Sequence, residues 1–242
     1  MRLPFTNSQI HLGRFVAPFA RLVPAAAVLP IFQGPARGLR WVAGSGMANF
    51  WLGTYEREKV EAFYREISPA SVVYDVGANV GIYTVLACRA VGPSGRVFAF
   101  EPVAANLEFL RRNVGVNRFT NCEIVPAAVS DKNGAVSFAS GGGSCLGKIS
   151  DRGEYSVPSL TLDSFVAAGH PLPRLMKIDV EGAEAAVLAG ARESLAAALP
   201  LIFLATHGPE VHDRCCAFLT SLGYSLDFLA PDEILARPPR SS

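Results

Sequence analysis

Acidic side chains recur where apolar runs of this sequence end. Asp75 closes Val72-Val73-Tyr74, Glu101 closes Val97-Phe98-Ala99-Phe100, and Asp179 follows Leu175-Met176-Lys177-Ile178. Runs of this kind read as buried parallel strands, whose carboxyl ends face the crevice where ligands bind. After Asp75 come Gly77-Ala78-Asn79-Val80-Gly81 and then Ile82-Tyr83-Thr84-Val85-Leu86-Ala87, a tight turn running into a helix. Such a turn lets a ligand approach the backbone and the helix N-terminus. A dinucleotide fingerprint begun at Gly77 would need glycines where Asn79 and Ile82 stand, and a P-loop would need a lysine where Ile82 follows Gly81. Both phosphate patterns fail. A carboxylate at the mouth of the turn suits a ligand carrying positive charge, and S-adenosylmethionine, with its ammonium and sulfonium groups, is such a ligand. Glu101 lies twenty residues beyond Gly81. That is about the separation at which a strand-end acid meets the ribose hydroxyls of an adenosine cofactor in doubly wound folds.

The acids and the histidine further along define the chemistry expected beside that ligand. Methyl transfer from a sulfonium is an in-line displacement, so the protein must align an acceptor oxygen and remove its proton. Asp179 ends its strand over the crevice, where it could hold the ammonium side of the donor or the acceptor. Glu181 and Glu184 follow on the next turn and first helical turn. His207 ends the neighbouring run Leu201 to Ala205, and a side chain that ordinarily titrates near neutrality is a natural general base. Each has a plainer reading. Glu184 equally suits the first turn of a helix for its dipole alone, and His207 could simply bond a loop. Three neighbouring carboxylates could also hold Mg²⁺, which favours oxygen ligands, although the expectation here is a site without metal. Lys177, inside its strand, reads as structural.

The elements that must carry these residues follow from the pattern around them. A helix is expected at Val60, Phe63, Tyr64 and Ile67, ahead of the first strand. Pro102 suits the first position of a helix striped by Leu107, Leu110 and Val114, and Cys122 to Ala127 reads as a third strand. The small residues after it, Ala128 foremost, would leave room for a flat adenine ring. Residues 132 to 160 alternate like exposed strands around Gly141-Gly142-Gly143-Ser144, as in a hairpin-like insertion. Leu162 opens a short helix, and an alanine-rich helix follows the fourth strand. After the fifth strand and another helix, Tyr224 to Leu229 and Ile234 to Ala236 flank a turn as a closing hairpin. The expected fold is α/β, a doubly wound and mostly parallel sheet with an antiparallel edge hairpin. Residues 1 to 50, rich in proline and glycine, read as an irregular N-terminal extension that packs on the main domain or covers substrate as a lid, with 51 to 242 as the catalytic domain.

Composition narrows the partners. A chain of 242 residues, half of them hydrophobic, suits one core-rich domain with extensions. A formal charge of +1 provides no global field for nucleic acid or anionic membrane. The turn after Asp179 also lacks the Asn/Asp-Pro-Pro-aromatic sequence expected of an enzyme that holds a flipped base. The apolar stretch from Phe15 to Phe32 is broken by Pro18, Arg21, Pro24 and Pro30, so it does not read as a span, and residues 10 to 32 suit a peripheral contact with membrane or a lid over substrate equally. Five cysteines without C-x-x-C spacing read as small hydrophobes in a reducing, cytoplasmic compartment.

Taken in order, Asp75 to Gly81, Phe100-Glu101-Pro102, Leu162-Asp163 and Lys177 to Glu184 resemble the FkbM family of class I S-adenosylmethionine-dependent methyltransferases, from about Trp51 to about Leu235, with the Lys177 to Glu184 block the most specific part. The resemblance implies a Rossmann-like seven-stranded sheet and cofactor contacts by Asp75, Gly77, Asn79, Gly81 and Glu101, and the small residues Ala78 and Ala128 join them as cofactor-binding candidates. It also implies O-methylation of a hydroxyl on a small molecule, sugar or glycolipid. Asp179, Glu181, Glu184 and His207 are the candidate catalytic residues. Many relatives carry an acid shortly before the histidine after the fifth strand, whereas here Leu204-Ala205-Thr206 precede His207, which puts in doubt any role resting on that acid.

Overall fold

A computed structural model describes residues 22–140, 147–149 and 155–239. The chain first forms a two-stranded antiparallel ribbon, β1 (Val28–Pro30) with β2 (Arg40–Val42), and then α1 (Asn49–Leu52) and α2 (Arg57–Glu66). The doubly wound part follows: β3 (Val72–Val76), α3 (Ile82–Val91), β4 (Arg96–Phe100), α4 (Ala104–Val116) and β5 (Cys122–Val125). Next come β6 (Ala128–Val129), β7 (Gly134–Ser140), β8 (Gly147–Ile149), β9 (Tyr155–Leu160) and α5 (Leu162–Ala167). The chain continues through β10 (Leu175–Ile178), α6 (Glu184–Ala189), α7 (Arg192–Ala198), β11 (Leu201–Ala205), α8 (Pro209–Ser221), β12 (Ser225–Ala230) and β13 (Glu233–Arg237).

The main sheet has seven strands in the order β12-β13-β11-β10-β3-β4-β5. All neighbours from β11 to β5 are parallel, and β13 and β12 add the antiparallel edge. Strand order reverses between β3 and β10, since β4 and β5 are laid down on one side of β3 while β10 and β11 lie on the other. That switch point is where an open α/β sheet leaves a crevice beyond its strand ends. Side chains alternate faces along each strand. Val73 packs towards α3 with Phe63, Leu86 and Leu110, whereas Tyr74 and Val76 pack on the other side with Phe165, Leu195 and Leu219.

Several boundaries differ from the sequence expectation, each for a visible reason. The helix after Glu101 begins at Ala104, not Pro102, because the Glu101 carboxylate accepts the Val103 N–H at 2.9 Å and holds Val103 extended. The third strand stops at Val125, and Ala128–Val129 instead pairs with β9 in a four-stranded sheet ordered β6-β9-β7-β8. The insertion is hairpin-like as expected, with β7 and β9 antiparallel, while Gly141 to Ser144 fall outside the described residues.

The described part of the N-terminal segment is not irregular. Trp41 is fully buried, and Ile31 and Phe50 join the core on the α3 side of the sheet. Asn113 of α4 and Asn117, which caps the helix, dock the ribbon. Asn113 Oδ1 accepts from the Val42 N–H at 2.9 Å, and Asn117 bonds both the N–H and the carbonyl of Arg40 at 2.7 and 2.8 Å. Residues 1 to 21, which include the first part of the stretch expected to touch membrane, lie outside the described residues. No helix among the described residues is long and apolar enough to cross a membrane.

Candidate functional site

A cavity opens at the switch point. Its walls are the turn Gly77 to Gly81, the end of β4 at Glu101, the segment Ala127 to Val129, Lys177 of β10, and Asp179, Val180 and Glu181 beyond that strand. Gly77 must be glycine here: its φ is +77°, and a Cβ would stand 1.9 Å from the Asp179 carbonyl oxygen. That close approach brings the ends of β3 and β10 together, as does the Asp179 N–H donating to Val76 O at 3.1 Å.

Glu101 is fixed rather than solvated. Its carboxylate accepts the Asn79 N–H at 2.8 Å, the Val103 N–H at 2.9 Å and Asn106 Nδ2 at 3.2 Å. Burial pushes its pKa up, and those donors pull against it. A wall carboxylate at this strand end is placed for hydroxyl groups, which can donate to it. Gly77, Ala78, Asn79, Gly81, Glu101 and Ala128 all line the cavity, so the structure brings the expected ligand-binding residues together with one exception.

The exception is Asp75. It is fully buried beneath the turn, where Thr84 Oγ1 donates to Oδ2 at 2.5 Å. Register explains this: Asp75 pairs with Lys177 in the parallel ladder, so both point to the α3 side. Lys177 Nζ lies 3.6 Å from Asp75 Oδ1 and 3.5 Å from Asp179 Oδ2, and it donates to the Gly77 carbonyl at 2.8 Å. Asp75 therefore reaches a ligand only through Lys177 and the turn. Lys177, expected to be structural, both braces the site and lines its wall.

The catalytic candidates separate into wall and support. Asp179 and Glu181 line the cavity, Glu181 from a left-handed backbone conformation at φ 56°. Glu184 and His207 stand behind them. Glu184 is fully buried, accepts the Val180 and Gly182 N–H groups at 3.3 and 3.0 Å, and holds His207 Nδ1 at 2.8 Å. It is thus at once the cap of the turn and the group that orients the imidazole. His207 Nε2 is left facing Asp179 Oδ1 at 3.8 Å and Glu181 Oε2 at 3.6 Å.

The expectation that His207 titrates near neutrality is corrected. Its hydrogen bond to Glu184 comes first among the causes, with the charges of Glu184, Glu181 and Asp179 adding to it, and together they raise its pKa to about 9 against the opposing effect of burial. The same partnership lowers the pKa of Glu184 against its burial. Asp179, Glu181 and His207 form the group of donors, among the described residues, that could hold a metal ion. At neutral pH the imidazolium already supplies positive charge between these acids.

Phe50, Tyr55, Val103 and Asn106 also line the cavity and were not anticipated. Tyr55 carried a signal, standing with Trp51 just ahead of the helix expected at Val60 to Ile67.

Comparison with known proteins is decisive at this point. A model of the FkbM methyltransferase domain matches residues 75–226, more than half of the chain. The protein belongs to the FkbM methyltransferase family. This FkbM chain is 28% identical over 145 residues to the hexuronic acid methyltransferase AglP of Haloferax volcanii, and the match covers 58% of each protein. It therefore spans less than two thirds of that relative. Its fold is similar to that of an FkbM methyltransferase from Methylobacillus flagellatus, with a TM-score of 0.52 at 18% identity over 79% of this chain and 55% of that one. It also resembles a candidate rRNA methylase from Clostridium thermocellum, with a TM-score of 0.53 at 11% identity over 76% of this chain and 96% of that one.

Proposed function

We propose that this FkbM family member is an S-adenosylmethionine-dependent O-methyltransferase acting on a hydroxyl of a small molecule, sugar or glycolipid. The observation that carries the reading is the convergence of the glycine turn, Glu101 and Asp179 on one cavity at the switch point. Adenosine fits between Glu101 and the small residues Ala127 and Ala128, and the donor's charged end fits by the Gly77 turn. The name of the relative AglP supports a saccharide acceptor.

S-adenosylmethionine would be held by the Gly77 turn and Glu101 and would supply the methyl group, its C–S bond breaking as the acceptor oxygen bonds the methyl carbon and neutral S-adenosylhomocysteine leaves. The acceptor proton passes to Asp179 on the wall and on to His207 behind it. The competent form is the one with His207 neutral. Glu184 keeps Nε2 of the imidazole turned towards Asp179. Alignment supplies several kcal/mol, and a positioned base adds roughly 10²–10⁴-fold. Titration calorimetry with S-adenosylhomocysteine tests the donor: binding at a one-to-one ratio is expected, and no heat from the wild-type protein would refute the reading.

A further inference from the structure

Two aromatic side chains enter the cavity from the segment ahead of β3. The rings of Phe50 and Tyr55 lie 4.2 Å apart, and Phe50 stacks in turn on the fully buried Trp41 at 5.4 Å. This ladder runs from the docked ribbon to the cavity wall, so Tyr55 is held from behind. Burial and the nearby carboxylates of Glu56, Asp179 and Glu181 keep its hydroxyl protonated. Both rings lie outside the part of the chain that matches the family, which begins at residue 75. The donor turn lies within that match, and the aromatic wall is supplied by the segment ahead of it.

The charge at this end of the cavity is lopsided. Among the described residues that line it, Lys177 is the one cation, and it is committed to Asp75, Asp179 and the Gly77 carbonyl. His207, behind the wall, is committed to Glu184. An acceptor bearing a carboxylate would meet Asp179 and Glu181, where the two neighbouring cations, Lys177 and His207, are already paired with acids that outnumber them, and like charges brought together are strongly disfavoured. A neutral ring with an apolar C–H face and several hydroxyls meets the opposite situation. Its face can lie on an aromatic ring, and its hydroxyls can donate to the two acids.

We propose that Tyr55, backed by Phe50, forms with Asp179 and Glu181 an acceptor subsite that selects an uncharged pyranose ring over a uronic acid. The inference rests on the methyl-transfer reading above, and it separates this chain from the relative named for a hexuronic acid.

The test supplies the full chain with S-adenosylmethionine and paired acceptors, and reads S-adenosylhomocysteine formation. The acceptors are methyl glycosides of glucose, galactose and mannose, those of the matching hexuronic acids, and a simple phenol. Hexosides are expected to exceed uronides in kcat/KM by about a hundredfold. Tyr55→Ala should raise the hexoside KM by about tenfold, while Tyr55→Phe, which keeps the ring, should retain most of the wild-type KM. Glu181→Gln should narrow the gap between hexoside and uronide. Preference for uronides or for the phenol, an unchanged hexoside KM in Tyr55→Ala, or no turnover of any hexoside would each overturn the proposal. Calorimetry with S-adenosylhomocysteine on the same samples separates the two readings: if it still binds, the donor assignment stands and only the acceptor subsite falls.

Discussion

Lys177 Nζ donates to the Gly77 carbonyl at 2.8 Å, so the side chain of one strand holds the glycine turn that follows its neighbour. Asp75 and Asp179 flank the same ammonium at 3.6 and 3.5 Å. Burial lowers the pKa of this lysine, but the two acids more than offset the effect and leave it raised. The charge is therefore permanent in the working pH range. The turn, the buried acid and the wall acid are thus tied to a single ammonium group.

Replacing that lysine should show how much the unit matters. Lys177→Met leaves Asp75 buried without its cation, and breaking a buried pair from one side costs about 3–5 kcal/mol. Urea denaturation should register a loss of that size. Adding Asp75→Asn should restore part of it, and a double variant no more stable than the single one would contradict the pairing.

Glu101 should govern donor affinity. A hydrogen bond to a charged group contributes about 1.5–3 kcal/mol, so Glu101→Gln is expected to weaken S-adenosylhomocysteine binding about 10- to 100-fold. Calorimetry measures this directly, and affinity within twofold of wild type would remove Glu101 from the cofactor site.

His207 links pH to both rate and stability. If the neutral imidazole accepts the proton, kcat should rise with pH and level off above about 9, and Glu184→Gln should move the rise towards the ordinary histidine value of 6.5. A profile that falls through that range would instead assign the work to the imidazolium. For stability the sign is the reverse. A pKa raised by folding stabilises fully below the unfolded value of 6.5, and the stabilisation is lost as pH rises through about 9. The stability difference between wild type and His207→Asn should therefore shrink across that window in denaturant titrations.

Asn113 ties the N-terminal ribbon to the donor turn. Its amide serves Val42 N and Ser45 Oγ on one side and the Val80 carbonyl on the other, at 2.9, 3.0 and 2.9 Å. Asn113→Ala leaves buried backbone groups unsatisfied, at a cost of about 1–3 kcal/mol. Weaker binding of S-adenosylhomocysteine should accompany the loss. Destabilisation with unchanged binding would show that the ribbon and the turn are mechanically independent.

The sequence by itself determined the strand order in time, the glycine turn and the acid at each strand end. These are local signals: apolar runs, a glycine pair and a residue count of about twenty that the doubly wound repeat imposes. Five parallel strands and the closing hairpin were legible for the same reason. Tertiary structure alone decided which acids face a ligand. Asp75 and Asp179 look alike as strand-end carboxylates, but the parallel register pairs Asp75 with Lys177 on the covered face, while Asp179 emerges one step past its strand and onto the cavity wall. Likewise, the pKa of His207 depends on three carboxylates assembled from another segment, and no spacing in the chain foretells it. Tyr55 and Phe50 reach the cavity only because Trp41, Asn113 and Asn117 seat the ribbon against the sheet's helical layer. Contacts between segments far apart in the chain leave no periodic trace, so they become visible only once the strands are in register.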